Sequence, residues 1–86
     1  MVNVVDKEYS VIKTLDCRGL NCPLPIIKMQ KAVKGMAEGE IIKVLATDSG
    51  SKRDFDSWCR KTGNKLLEST EDDGVFTYII EKTGGA

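Results

Sequence analysis

The sequence predicts an α+β fold: a β-α-β-α-β-β two-layer sandwich, with a mixed four-stranded sheet carrying two helices on one face. Three observations predict it. Within 86 residues, β-branched stretches alternate with two segments of helical apolar periodicity. The last two strand-like stretches are separated by an Asp-Gly step, the signal of a tight hairpin. Two short connecting helices imply parallel placement and right-handed crossovers for the strands they join, and two helices can cover only one sheet face.

Val11 to Asp16 is β-branched and alternating, so it reads as the first strand, ending in the loop Arg18-Gly19-Leu20-Asn21. From Pro23 to Lys34 the apolar residues Ile26, Met29, Val33 and Met36 recur at i, i+3, i+7 and i+10. Lys28, Lys31 and Lys34 fall on the other side, and Gly35 stands where a left-handed C′ residue closes a helix. Ile41 to Thr47 is a nearly continuous apolar run, as in a covered central strand. The second helix is expected from about Lys52 to Thr62, with Phe55, Trp58, Cys59 and Thr62 on one stripe. Ser51 and Asp54 form an S-x-x-D capping pattern before it, and Gly63-Asn64 stops it. Leu66 to Thr70 and Val75 to Glu81 make the final hairpin around Glu71-Asp72-Asp73-Gly74. The expected organisation is an extension over residues 1–9, one domain over 10–82 and a flexible tail over 83–86.

Composition narrows the chemistry. The chain has 13 basic and 13 acidic residues, no histidine and three cysteines. Its 22 Leu, Ile, Val and Phe residues suffice for a core, so the chain is not a disordered segment. A zero net charge argues against a polyanion-binding module. Lacking histidine, the chain has no Ser-His-Asp or Cys-His hydrolase site, no His-containing zinc site and no imidazole acid–base chemistry. The N-terminus shows no secretory signal and no apolar run approaches a membrane span. Three cysteines without a C-x-x-C spacing indicate free thiols and a cytoplasmic setting, with no metal and no cofactor expected.

Cys22-Pro23-Leu24-Pro25 is the chemically pointed element. Proline is tolerated in a helix's first turn, so the pair places Cys22 at or near an N-cap. There a sulfur meets the positive end of the helix dipole, with the Leu24 and Ile26 amides expected to face it. A thiolate so placed has a lowered pKa and is nucleophilic without a general base, which suits attack on sulfur. The plain alternative is a small cap residue. Cys17 shares the face of Leu15 and is read as a core residue, a resolving thiol being the alternative; Cys59 lies on the apolar stripe of the second helix.

The run Leu15-Asp16-Cys17-Arg18-Gly19-Leu20-Asn21-Cys22-Pro23-Leu24-Pro25 resembles the L-D-x-R-G-x-x-C-P-x-P signature of the TusA (SirA-like) sulfurtransferase family. The resemblance continues through Pro25-Ile26-Ile27-Lys28, Gly39-Glu40, and Ala46-Thr47-Asp48 with Arg53-Asp54, spanning Val11 to Lys82. Position 17 is usually aliphatic or small in the family, and Ser49 stands where proline is frequent. Another family proline, after the residue matching Phe55, is also missing.

The resemblance implies the same β-α-β-α-β-β sandwich and a persulfide-carrying role for Cys22. Asp16, Arg18, Gly19, Pro23 and Pro25 would be motif and supporting residues. It implies a sulfur-donor protein of the cysteine desulfurase or rhodanese type and an acceptor protein thiol; the chain is expected to be a monomer, and its zero net charge and lack of an apolar span predict neither nucleic acid nor membrane as partner. Lys28, Lys31 and Arg53 are the candidate docking residues, against the alternative of a solvated helix face. The competing function is a non-enzymatic RNA-binding or regulatory module of the same sandwich type.

Overall fold

A computed structural model describes residues 10–21 and 23–84; Cys22, the expected extension over 1–9 and residues 85–86 lie outside the described residues. The elements run β1 (Val11–Cys17), α1 (Leu24–Lys34), β2 (Ile41–Ala46), α2 (Ser51–Thr62), β3 (Lys65–Asp72) and β4 (Val75–Glu81). The sheet order is β1-β2-β4-β3: β1 and β2 pair in parallel, while β4 pairs antiparallel with both β2 and β3. The β-α-β-α-β-β mixed sandwich is therefore the observed architecture. α1 packs over β1 and β2, α2 packs over β3, and the two helices touch each other.

The alternation in β2 is strict: Ile42, Val44 and Ala46 are buried, and Ile41, Lys43 and Leu45 are partly covered. Beside them in the sheet lie Cys17, Tyr78 and Ile80, and Met29, Val33 and Phe55 of the helices complete the cluster, with the Phe55 and Tyr78 ring centroids 4.5 Å apart. Each fully buried large apolar side chain is worth about 1.5–3 kcal/mol of transfer free energy, so this single cluster carries most of the stabilisation. The Asp-Gly step behaves as expected. Asp73 and Gly74 have φ of 53° and 81° and form a two-residue turn between the paired Asp72 and Val75, the geometry that suits strand twist.

Three expectations at helix ends are corrected. Gly35 is not left-handed: its φ is −87°, and α1 closes through short bonds from Gly35 N–H to Ala32 O and from Met36 N–H to Val33 O. Lys82 Nζ donates to Val33 O at 3.0 Å, so a cation satisfies the helix end where a left-handed residue was expected. Ser51 does not cap α2. It is the first helical residue, Gly50 is the N-cap without a side-chain bond, and the Ser51 hydroxyl lies 2.6 Å from the buried Tyr78 hydroxyl. A phenol inside a core needs a partner, and that need outweighs the cap.

The end of the chain is the third. Thr83 and Gly84, expected in a flexible tail, each donate a backbone N–H to Asn64 Oδ1, at 3.0 and 2.9 Å. Thr83 Oγ1 also donates to Gly63 O, so the segment after β4 is tied to the end of α2.

Candidate functional site

The motif segment leaves β1 at the C-terminal edge of the parallel pair, the edge at which α/β sheets bring loops and helix N-termini together. Gly19 adopts φ 82°, a left-handed turn that glycine makes without a Cβ penalty. That turn aims the Gly19 N–H at Thr47 Oγ1, 2.9 Å away, joining the loop after β1 to the loop after β2. Leu20 N–H donates back to Cys17 O at 3.2 Å, and Leu24 N–H donates to Asn21 O at 2.9 Å. The backbone on both sides of position 22 is thus held by hydrogen bonds.

Pro23 is the N-cap of α1, and the helix starts at Leu24. Cys22 therefore precedes the cap by one residue in sequence, where an N-cap or near-cap position was expected. The Leu24 amide, expected to face the sulfur, is instead bound to Asn21 O; since both prolines lack an N–H, Ile26 alone is left for that role. Pro25 is fully buried, and the Cys17 thiol points at its carbonyl oxygen with a 4.0 Å separation. The second proline of the motif thus helps fix where the helix meets the core.

Asp16 and Arg18 form one unit. Arg18 Nε and Nη2 donate to the two carboxylate oxygens at 2.9 and 3.0 Å, and the Arg18 backbone N–H adds a third bond at 3.0 Å. These bonds bring the Asp16 carboxyl down from 3.8 to about 2, with Lys28 adding a smaller attraction. Arg18 is itself raised by the carboxylate. The pair is charge-balanced, so Arg18 acts first as a brace on the loop.

Cys17 and Cys59 are buried thiols whose neutral form is favoured. Cys17 is completely buried and its pKa is raised by desolvation, against a smaller lowering by Lys28. Cys59, 3% exposed, is pushed up to about 11, by burial first and by Asp56 second. Both are core residues, as read from the sequence.

Of the remaining site residues, Pro23 and Arg53 border two depressions that share Asp54. Pro23 and Ile26 line a depression of about 280 Å³ with Asp54, Ser57, Trp58 and Lys61 of α2. Arg53 lines a larger open cleft of about 710 Å³ with Ser49, Gly50, Asp54, Leu66 and Ser69, and no described residue of the Asp16–Pro25 segment borders it. Lys28 and Lys31 lie exposed on α1 and border neither of these two depressions. The sequence placed Thr47, Asn21 and Trp58 in the apolar run, the motif loop and the α2 stripe without assigning any of them a site role. Thr47 follows an apolar run and was legible only as its end, because the bond to Gly19 spans 28 residues. Among the described residues, no group of His, Cys, Asp and Glu could hold a metal ion.

Fold and sequence together define a small α/β sandwich protein whose Cys-Pro-x-Pro sequence leads into its first helix. The family model described as sulfurtransferase TusA matches residues 13–82, and the chain belongs to this family. It is 49% identical over 69 residues to a putative sulfur carrier protein of Neisseria meningitidis serogroup A, covering 80% of this chain and 93% of that one. It is 48% identical over 69 residues to the sulfur carrier protein TusA of Allochromatium vinosum, covering 80% and 91%. Among solved structures, a SirA-like protein from Desulfitobacterium hafniense superposes with a TM-score of 0.75 at 27% identity, covering 84% of this chain and 99% of that one.

Proposed function

We propose that this chain is a sulfur-relay protein that carries sulfane sulfur as a persulfide on Cys22. The Cys22 thiolate attacks the terminal sulfur of a donor persulfide R–S–SH; the new S–S bond forms as the donor's S–S bond breaks, giving Cys22–S–SH and the donor thiolate R–S⁻. An acceptor thiolate R′–S⁻ then attacks the terminal sulfur in turn, giving R′–S–SH and restoring the Cys22 thiolate. Neither step changes the overall oxidation state, and neither leaving group needs a proton, which suits a chain without histidine. Donor proteins of the cysteine desulfurase or rhodanese type supply the chemistry this requires, and free thiols suit a reducing, cytoplasmic setting.

The observation that carries the reading is the burial of the other two thiols. Cys17 and Cys59 are buried with raised pKa values, while Asn21, Pro23 and Leu24, on either side of position 22, are exposed and the loop is pinned at the edge where α1 begins. The relatives named as sulfur carriers support it. The test is intact mass under non-reducing conditions after incubation with inorganic polysulfide. Added sulfur is expected on the wild type and on Cys59→Ala, and none on Cys22→Ser. Equal labelling of all three proteins refutes the assignment.

A further inference from the structure

We propose that Thr47 is the positioning residue of the motif loop: its hydroxyl fixes where the loop sits on the sheet, and so sets how fast Cys22 reacts. The inference rests on the sulfur-relay reading, because it names a residue outside the motif on which the carrier thiol depends. Gly19 N–H donates to Thr47 Oγ1 at 2.9 Å, across 28 residues. The other hydrogen bonds of the loop are local. Arg18 binds Asp16, Leu20 N–H donates to Cys17 O, and Leu24 N–H donates to Asn21 O. Local bonds give a loop its shape, but a bond to another element gives it its place. Among the described residues, the Thr47 hydroxyl is the one group beyond the motif segment to which residues 18–21 hydrogen-bond.

The topology explains why a side chain takes this part. β1 lies at the edge of the sheet, so β2 is the one strand against which the loop after it can be fastened. The parallel ladder ends at the pair Cys17 and Ala46, the last residue of each strand. Thr47 is the next residue after β2, and Gly19 turns beside it with φ 82°. An added Cβ at Gly19 would meet no atom within 4 Å, so glycine serves the turn and not a close approach. The turn sends the N–H to Thr47 Oγ1, and a side-chain acceptor continues the fastening where the backbone ladder stops. In the chain, position 22 lies between Gly19 and the start of α1 at Leu24. Thr47 therefore anchors one end of the span that carries the thiol, and the buried Pro25, beside Cys17, anchors the other.

The bond is exposed, which separates positioning from stability. When an exposed pair is cut, water satisfies both partners, so global stability changes little. What goes is the restriction on the loop, and a nucleophile held in one geometry reacts faster than one that samples many. Thr47 exchanges neither sulfur nor a proton in either transfer step; it acts through Gly19. The rival roles for this threonine are a β-branched end to the apolar run and a contact through its methyl group, and both survive in Thr47→Val.

The experiment compares wild type, Thr47→Val and Thr47→Ser. The rate at which iodoacetamide alkylates Cys22 is followed across pH on the tryptic peptide of residues 19–28, with loading by inorganic polysulfide in parallel. Thr47→Val should slow both reactions at neutral pH by about two- to tenfold, the range for one lost hydrogen bond, with the urea midpoint nearly unchanged. Its alkylation profile should also shift to higher pH, towards that of a free thiol. Thr47→Ser, which keeps the hydroxyl, should match the wild type. In the wild type the Gly19 amide should be protected from hydrogen exchange, and in Thr47→Val it should not. Unchanged alkylation in Thr47→Val overturns the inference, and so does equal slowing in Thr47→Ser, which would assign the effect to packing. Faster labelling of Cys17 and Cys59 in Thr47→Val overturns it as well, because the whole fold would then be loosened. A wild-type Gly19 amide that exchanges freely overturns it even if Thr47→Val fails to fold. If polysulfide loads none of the three proteins, the relay itself is overturned, and the alkylation rates still decide the role of Thr47.

Discussion

Asp16 and Arg18 show how two exposed residues brace the motif loop through bonds to each other. The folded chain favours the ionised Asp16 carboxylate, whose pKa is lowered from 3.8 to about 2. Its contribution is therefore complete above the ordinary carboxylate value and is lost as pH falls through that value towards about 2. Asp16→Asn should reduce the pH dependence of the urea midpoint in this acid range while leaving the neutral-pH circular dichroism spectrum unchanged. A midpoint that keeps its wild-type pH profile would show that other carboxylates dominate. The cysteines teach the complementary lesson. Burial favours the neutral form of Cys17 and Cys59, so solvent access, and not residue type alone, sets how readily each of these two thiols ionises.

At the scale of elements, α2 is fastened from below. The Ser51–Tyr78 bond joins its first turn to the centre of β4 across 27 residues. Tyr78→Phe leaves the Ser51 hydroxyl buried without that partner and should destabilise the protein by about 1–3 kcal/mol. Ser51→Ala/Tyr78→Phe should lose less than the sum of the two single changes, as a double-mutant cycle in urea will measure. The elements most legible in the sequence were those set by local rules. The Asp73-Gly74 turn needs only two positive φ angles, and both crossover helices announce themselves by 3.6-residue periodicity. What was not legible depends on distant partners. Ser51 looks like a cap until Tyr78 is beside it, and Gly35 looks like a left-handed stop until Lys82 reaches Val33 O. The candidate site divides the same way: Gly19 was legible as a turn glycine, while its acceptor Thr47 was not.

Over the whole molecule, the two ends of the sandwich have different tasks. The motif loop, Thr47 and the start of both helices gather at one end. The other end is closed by Lys82, Thr83 and Gly84 against the last turns of α1 and α2. A Cβ on Gly84 would collide with the Thr62 carbonyl oxygen and the Gly63 backbone. Gly84→Ala should therefore release this closure, lowering stability by about 1–2 kcal/mol and exposing the Thr83 and Gly84 amides to exchange, with sulfur loading at the far end unaffected. Retained exchange protection would show that the segment shifts to accommodate the methyl group.

The central claim, that one thiol of three carries the sulfur, can be read by peptide mapping. Trypsin separates the cysteines onto Thr14–Arg18, Gly19–Lys28 and Asp54–Arg60. After polysulfide loading of the native protein, alkylation and digestion, the added sulfur should be found on Gly19–Lys28 alone. Sulfur on Thr14–Arg18 or Asp54–Arg60, with Gly19–Lys28 unmodified, would contradict the account.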